Sequence, residues 1–139
     1  MPVNEIEELK EQFISQLMPL KIYLFGSFAN GTYTEESDFD FYIIVNDAME
    51  NLKDLTTKAY RSIRKIKKRP VDIIVGTEST FENKKNIPSV ENEVIKKGVL
   101  LYESGDKKMD WYGGDGFWGG KAFIRDVLSQ TIWDYLLSL

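Results

Sequence analysis

Two aspartates one residue apart, Asp38 and Asp40, stand at the head of the apolar run Phe41-Tyr42-Ile43-Ile44-Val45. A glycine and a serine, Gly26-Ser27, follow an earlier apolar run, Ile22-Tyr23-Leu24-Phe25. Strand side chains alternate faces, so Asp38 and Asp40 share one face while Phe39 and Phe41 take the other. Their Cα atoms then lie roughly 6–7 Å apart. Carboxylates so spaced can lean together over two divalent ions about 3.5–4 Å apart. Without cations they repel, and one of them keeps its proton to higher pH. Gly26 permits close approach of a phosphate or an unusual φ. Ser27 is placed to donate to a phosphate oxygen, and to cap a short helix whose free N–H groups face an anion. A carboxylate pair beside a phosphate-sized turn holds the parts of a metal-assisted in-line displacement at phosphorus.

A third acid, Asp72, stands in the otherwise apolar run Val71-Asp72-Ile73-Ile74-Val75. Whether it meets the first two depends on the elements around it. Residues 4–18 read as a helix, with Ile6, Leu9, Phe13 and Leu17 at helical spacing, Asn4 as cap and Pro19 after the end. Lys21–Phe25 reads as a first strand. Phe39–Val45 reads as a second, apolar enough to be covered on both faces. Asp47 and Glu50 signal a helix start, and Met49, Leu52, Leu55, Ala59, Ile63 and Ile66 form its apolar stripe. Pro70 ends that helix and Val71–Val75 reads as a third strand. Ser89 caps a short helix through Lys97 with Gly98 as its stop, and Val99–Tyr102 reads as an edge strand. The long crossover makes strands two and three parallel neighbours, with right-handed topology the default. Their N-terminal ends then coincide, which brings Asp72 beside Asp38 and Asp40. An antiparallel first strand delivers Gly26 and Ser27 to the same edge. The fold class is α/β (α+β), a small mixed β-sheet flanked by helices.

Composition removes several chemistries. The chain of 139 residues has no cysteine and no histidine, which excludes disulfides, thiolate chemistry, Ser-His-Asp catalysis, cysteine zinc sites and histidine metal ligands. Any metal must be held by oxygen, which favours Mg²⁺, Mn²⁺ or Ca²⁺. A net charge of −4 argues against sequence-independent binding to a nucleic-acid backbone. No apolar stretch is long enough to span a bilayer and the N-terminus lacks a secretory pattern, so the expected location is cytoplasmic.

The chain changes character after Glu103. All three tryptophans and six of the ten glycines lie beyond it. Residues 1–105 are expected to form one domain. Residues 106–139 are expected to form a Gly/Trp-rich linker and an amphipathic C-terminal helix. The apolar side of that helix must be covered by the chain's own sheet, a second copy (a homo-oligomer) or a partner protein.

Gly26-Ser27, then Asp38-Phe39-Asp40, then Asp72 resemble the signature of the polymerase-β-like nucleotidyltransferase superfamily, and the size resembles its minimal nucleotidyltransferase branch. The match covers roughly residues 6–103. The resemblance implies a nucleotidyltransferase fold with Asp38, Asp40 and Asp72 as catalytic and metal-binding residues. Asp38 and Asp40 would hold two Mg²⁺ or Mn²⁺ ions. Asp72 would hold the catalytic one and help deprotonate an acceptor hydroxyl. Gly26 and Ser27 would bind the β- and γ-phosphates of an NTP substrate. Ala29 and Gly31 also fit the family turn, whereas Asn30 stands where a basic residue is frequent. The implied function is transfer of NMP, with AMP from ATP the leading case. Small members of this branch often act as antitoxins paired with a HEPN toxin, which they can modify by AMPylation. With no histidine, this chain cannot itself contain the Arg-x4-6-His site of HEPN ribonucleases, so such a partner would be a separate protein.

Two other functions fit the same residues. One is a non-catalytic antitoxin or protein-binding module working through the C-terminal helix. The other is a small-molecule nucleotidyltransferase of the aminoglycoside type. Template-directed polymerisation is disfavoured by size and charge. The basic run from Lys58 to Arg69 reads foremost as a solvated helix face. Glu35 and Glu36 read as surface charges, and Phe25, Phe39, Phe41 and Tyr42 as core.

Overall fold

The computed structural model describes residues 2–49 and 51–105. The expected linker and C-terminal helix of residues 106–139 lie outside the described residues. The chain runs α1 (Val3–Leu17), β1 (Lys21–Phe25), α2 (Ser27–Asn30), β2 (Phe39–Val45), α3 (Leu52–Ile63), β3 (Val71–Thr77), α4 (Glu78–Lys84), α5 (Val90–Lys97) and β4 (Val99–Glu103). The four strands form one mixed sheet in the order β3-β2-β1-β4. β2 runs parallel to β3 and antiparallel to β1, as the crossover length requires.

β2 is buried from end to end except at Asp40, because helices cover both faces of the sheet. Phe39, Phe41, Ile43 and Val45 point to one side, where Ile22, Leu24, Val71 and Ile73 join Ile6, Leu9, Phe13 and Leu17 of α1 and Ala59 and Ile63 of α3. Phe13 meets Phe41 edge to face at 5.1 Å. Burying each such ring contributes about 1.5–3 kcal/mol. Tyr42 and Ile44 point to the other side with Tyr23, Phe25, Phe81 of α4 and Val94 of α5. One layer therefore holds α1 and α3, the other α4 and α5. None of the described helices is long and apolar enough to cross a membrane.

Several local expectations are corrected. Asn4 does not cap α1, because the helix starts earlier: Pro2 is its N-cap, the Ile6 amide donates to the Pro2 carbonyl at 3.2 Å, and Val3 is already buried. The α3 cap is Asn51, which accepts from the Asp54 amide at 3.1 Å. Asp47 is drawn away to accept from the Ser79 amide at 2.9 Å, in the first turn of α4. α4 itself, not expected from the sequence, follows β3 with no turn between and is capped by Thr77. Gly98 does end α5, but with φ at −75° it makes no left-handed cap. Glycine is needed because a Cβ would run into the Val94 carbonyl.

β3 and β4 are the sheet edges. On β3, the Ile73 amide donates to the Tyr60 hydroxyl at 2.9 Å, so a side chain of α3 occupies a donor that an open edge would offer to another strand.

Candidate active site

The register sets the site. Phe39 pairs with Val71 and Asp40 with Asp72, while Phe25 of β1 lies opposite Asp40. Asp40 and Asp72 therefore stand side by side on the α4/α5 face, at the end of the sheet where β2 and β3 begin and β1 ends. Asp38 lies one step before β2 and is exposed, as is Asp72, while Asp40 is half-buried. Gly26 arrives at the end of β1 with φ 76° and ψ −152°. A Cβ there would collide with the Asp40 carboxylate, so this residue must be glycine both for its backbone and for its contact. The turn and the Asp40 carboxylate thus lie against each other.

Asp40 reports how tightly the charges are gathered. Its pKa is raised from 3.8 to about 6, first by burial, then by the charges of Asp72 and Asp38, a hydrogen bond shared with Asp72, and Glu93 on α5. The crowding expected of paired carboxylates falls on the member nearest the core.

The Gly-Ser turn differs in detail from expectation. Ser27 is the first residue of α2 and does not cap it; Gly26 holds the cap position and no side chain bonds the end. The four-residue helix is held by Ala29 and Asn30 amides donating to the Gly26 carbonyl at 3.1 Å, and it ends at Gly31 with φ 83°. Asn30 accepts from the Thr32 hydroxyl at 2.7 Å, which turns its side chain to the following loop.

Among the described residues, no three acidic side chains form a ready-made cation cage. The donor set nevertheless fits a hard divalent ion: oxygen ligands only, Asp40 paired with Asp72 on adjacent strands, and Asp38 close enough to raise its neighbour's pKa. Asp38, Asp40 and Asp72 are the residues that would hold such an ion.

Two features were missed by sequence reasoning. Glu93 adds negative charge to the site from α5, and no local pattern marks it. Arg69, read as part of a solvated basic face, is instead largely withdrawn from solvent and bonded to Glu5, Glu35 and Ser37. Tyr23 and Tyr42 are buried, and the Tyr42 hydroxyl donates to the buried Glu91 carboxylate at 2.7 Å.

A mixed sheet that brings paired carboxylates and a Gly-Ser turn to one edge defines the nucleotidyltransferase class of enzymes. The sequence pattern of the nucleotidyltransferase domain matches residues 6–101, and the chain belongs to that family. It is 36% identical over 106 residues to a Methanocaldococcus jannaschii protein provisionally named a protein adenylyltransferase; the aligned region is 72% of this chain and all of that one. Among solved structures it is similar to a provisionally assigned nucleotidyltransferase of Sulfolobus solfataricus, with 24% identity, 72% of this chain and 78% of that one covered, and a TM-score of 0.47. It is also similar to a chain of a toxin–antitoxin complex solved with AMP-PNP, with 22% identity, 92% and 99% covered, and a TM-score of 0.45.

Proposed function

We propose that this enzyme transfers AMP from ATP to a hydroxyl of a protein acceptor, with Asp38, Asp40 and Asp72 as its metal-binding and catalytic residues. The observation that carries the site is the pairing of Asp40 with Asp72 on adjacent strands, with Gly26 packed against Asp40. The protein acceptor is suggested by the name of the 36%-identical relative.

Bound Mg²⁺ or Mn²⁺ would supply charge stabilisation for both the attacking and the leaving oxygen. The chain's own residues do the rest. Gly26 leaves room for the β- and γ-phosphates beside the carboxylates, and the Ser27 hydroxyl donates to them. The acceptor oxygen attacks the α-phosphorus, a P–O bond forms, and the bond to the bridging oxygen breaks to release pyrophosphate. The acceptor proton passes to Asp72, whose side chain is exposed. Asp40, set deeper, fixes the position of the site against β1 and β3.

The acceptor is proposed to be a separate HEPN-type toxin, an expectation that rests on the family resemblance. The test is incubation with α-labelled ATP, Mg²⁺ or Mn²⁺ and the product of a neighbouring helical gene carrying Arg-x4-6-His. Label should move to that protein, show as an AMP adduct by mass spectrometry, and vanish in Asp38→Ala and Asp72→Ala. Absence of transfer to any acceptor, together with absence of metal-dependent ATP binding, would overturn the proposal. Transfer to a small hydroxylated molecule alone would overturn the protein acceptor and keep the chemistry.

A further inference from the structure

We propose that Arg69 is a positioning residue of the active site, a single guanidinium that fixes Asp38 relative to Asp72 and to the Gly26-Ser27 turn. The inference rests on the nucleotidyltransferase reading of those carboxylates. Arg69 lies three residues before Asp72, in the segment that leads from α3 into β3. Its Nη1 donates to two carbonyls of the loop before β2, Glu35 at 3.2 Å and Ser37 at 3.3 Å. Its Nε and Nη2 form a two-pronged pair with the Glu5 carboxylate on α1, both at 3.1 Å. The planar group also covers two rings, with Cζ 4.7 Å from the centre of Phe39 and 5.3 Å from that of Phe28.

These partners are the neighbours of the site residues. Ser37 and Phe39 flank Asp38, and Phe28 follows Ser27. The next residue completes the grip: the Pro70 carbonyl accepts from the Phe39 amide at 3.2 Å. The Asp38 backbone is thereby held on both sides, by Arg69 at the Ser37 carbonyl and by Pro70 at the Phe39 amide. This explains how a carboxylate on an exposed loop end is kept in register with one on another strand. Its side chain is free to meet an ion while its main chain is not free to drift.

The task needs a guanidinium. Four bonds to three partners and two ring faces require a flat fork with several donors, and an ammonium on a flexible stem cannot span them. Glu5 holds the fork from behind and neutralises its charge, so Arg69 contributes little positive field to the site. Its effect is geometric.

The measurement is Mn²⁺ binding followed by electron paramagnetic resonance, with and without ATP, alongside amide exchange over residues 32–38. It is made well below each variant's unfolding midpoint. Arg69→Gln should weaken Mn²⁺ binding about 10-fold, the loss typical when groups that hold metal ligands in place are removed. Exchange over the loop should quicken in the same variant. Arg69→Lys, which keeps the charge and loses the fork, should recover less than half of that loss. Should Arg69→Gln fail to fold, Glu5→Gln gives the same readout with a smaller loss in the same direction. A folded Arg69→Gln that binds Mn²⁺ as the wild type does, with only a lower midpoint, would overturn the role of Arg69. Absence of Mn²⁺ binding in the wild type, with or without ATP, would instead overturn the parent reading and this role with it.

Discussion

Replacing Asp40 by asparagine should make the metal-free protein more stable at neutral pH, not less. Asp40 is raised from 3.8 to about 6 in the folded state because burial and the charges of Asp72 and Asp38 oppose its ionised form. A folded pKa above the unfolded one means that the native state binds more protons between about pH 4 and 6. Stability from this group is therefore full below pH 4 and is lost as pH rises through 6. At 1.36 kcal/mol per pH unit, the rise to about 6 corresponds to about 3 kcal/mol. Asp40 is partly open to solvent, and screening reduces the value to on the order of 1–2 kcal/mol. Asparagine is close in size, cannot ionise, and can donate to Asp72. Urea unfolding in EDTA, followed by circular dichroism across pH, should show Asp40→Asn gaining that amount above about pH 7 and nothing at about pH 4. For a folded unit of this size the gain moves the thermal midpoint up by several degrees, at roughly 4–8 °C per kcal/mol. Millimolar Mg²⁺ should raise the wild-type midpoint and leave the variant's unchanged. A variant that is destabilised equally at every pH, or a wild type whose stability is flat from pH 4 to about 7, would refute the charge-crowding argument.

Three further outcomes follow from other contacts. Gly26→Ala combines a positive φ with a collision against the Asp40 carboxylate, so it should cost about 1–3 kcal/mol and abolish ATP binding, as read by urea unfolding and calorimetric titration. Tyr42→Phe removes the donor to a buried carboxylate and should cost about 1–3 kcal/mol; an unchanged unfolding midpoint would show that Glu91 finds another partner. Ser89→Ala removes the oxygen that accepts from the Asn92 amide and should cost about 1 kcal/mol in the same assay, with no change in metal binding.

The sheet was legible in the sequence because its residues obey short-range rules. β1 and β2 match the apolar runs that predict them, and β3 begins where Pro70 places it. The placement of Asp72 beside Asp40 follows from one topological argument, that a long helical crossover makes parallel neighbours. What escaped depends on partners distant in sequence. Arg69 reads as one more cation in a basic run; its meaning lies in Glu5, Ser37 and Phe39, which only the folded chain brings to it. Asp47 reads as a cap for the nearest helix, yet bonds an amide at the start of a later one. α4 is short and begins where β3 ends, so no turn residues announce it. Gly98 was recognised as a stop for the wrong reason, since crowding against Val94 does not show in a sequence.

The parallel pairing of β2 with β3 also determines when the site comes into being. Asp38 and Asp40 leave the ribosome well before Asp72, and all of α3 is made between them. A parallel pair cannot close until its crossover has folded back, and such long-range pairings form slowly. Until β3 docks, Asp40 has no paired strand bearing Asp72, and the Arg69-Pro70 segment that holds Asp38 has no seated strand behind it. A nascent chain released before Val71 would carry the Gly-Ser turn and two of the three carboxylates, yet lack the neighbour that assembles them. With the roles proposed for the three aspartates, competence for chemistry is tied to the docking of β3.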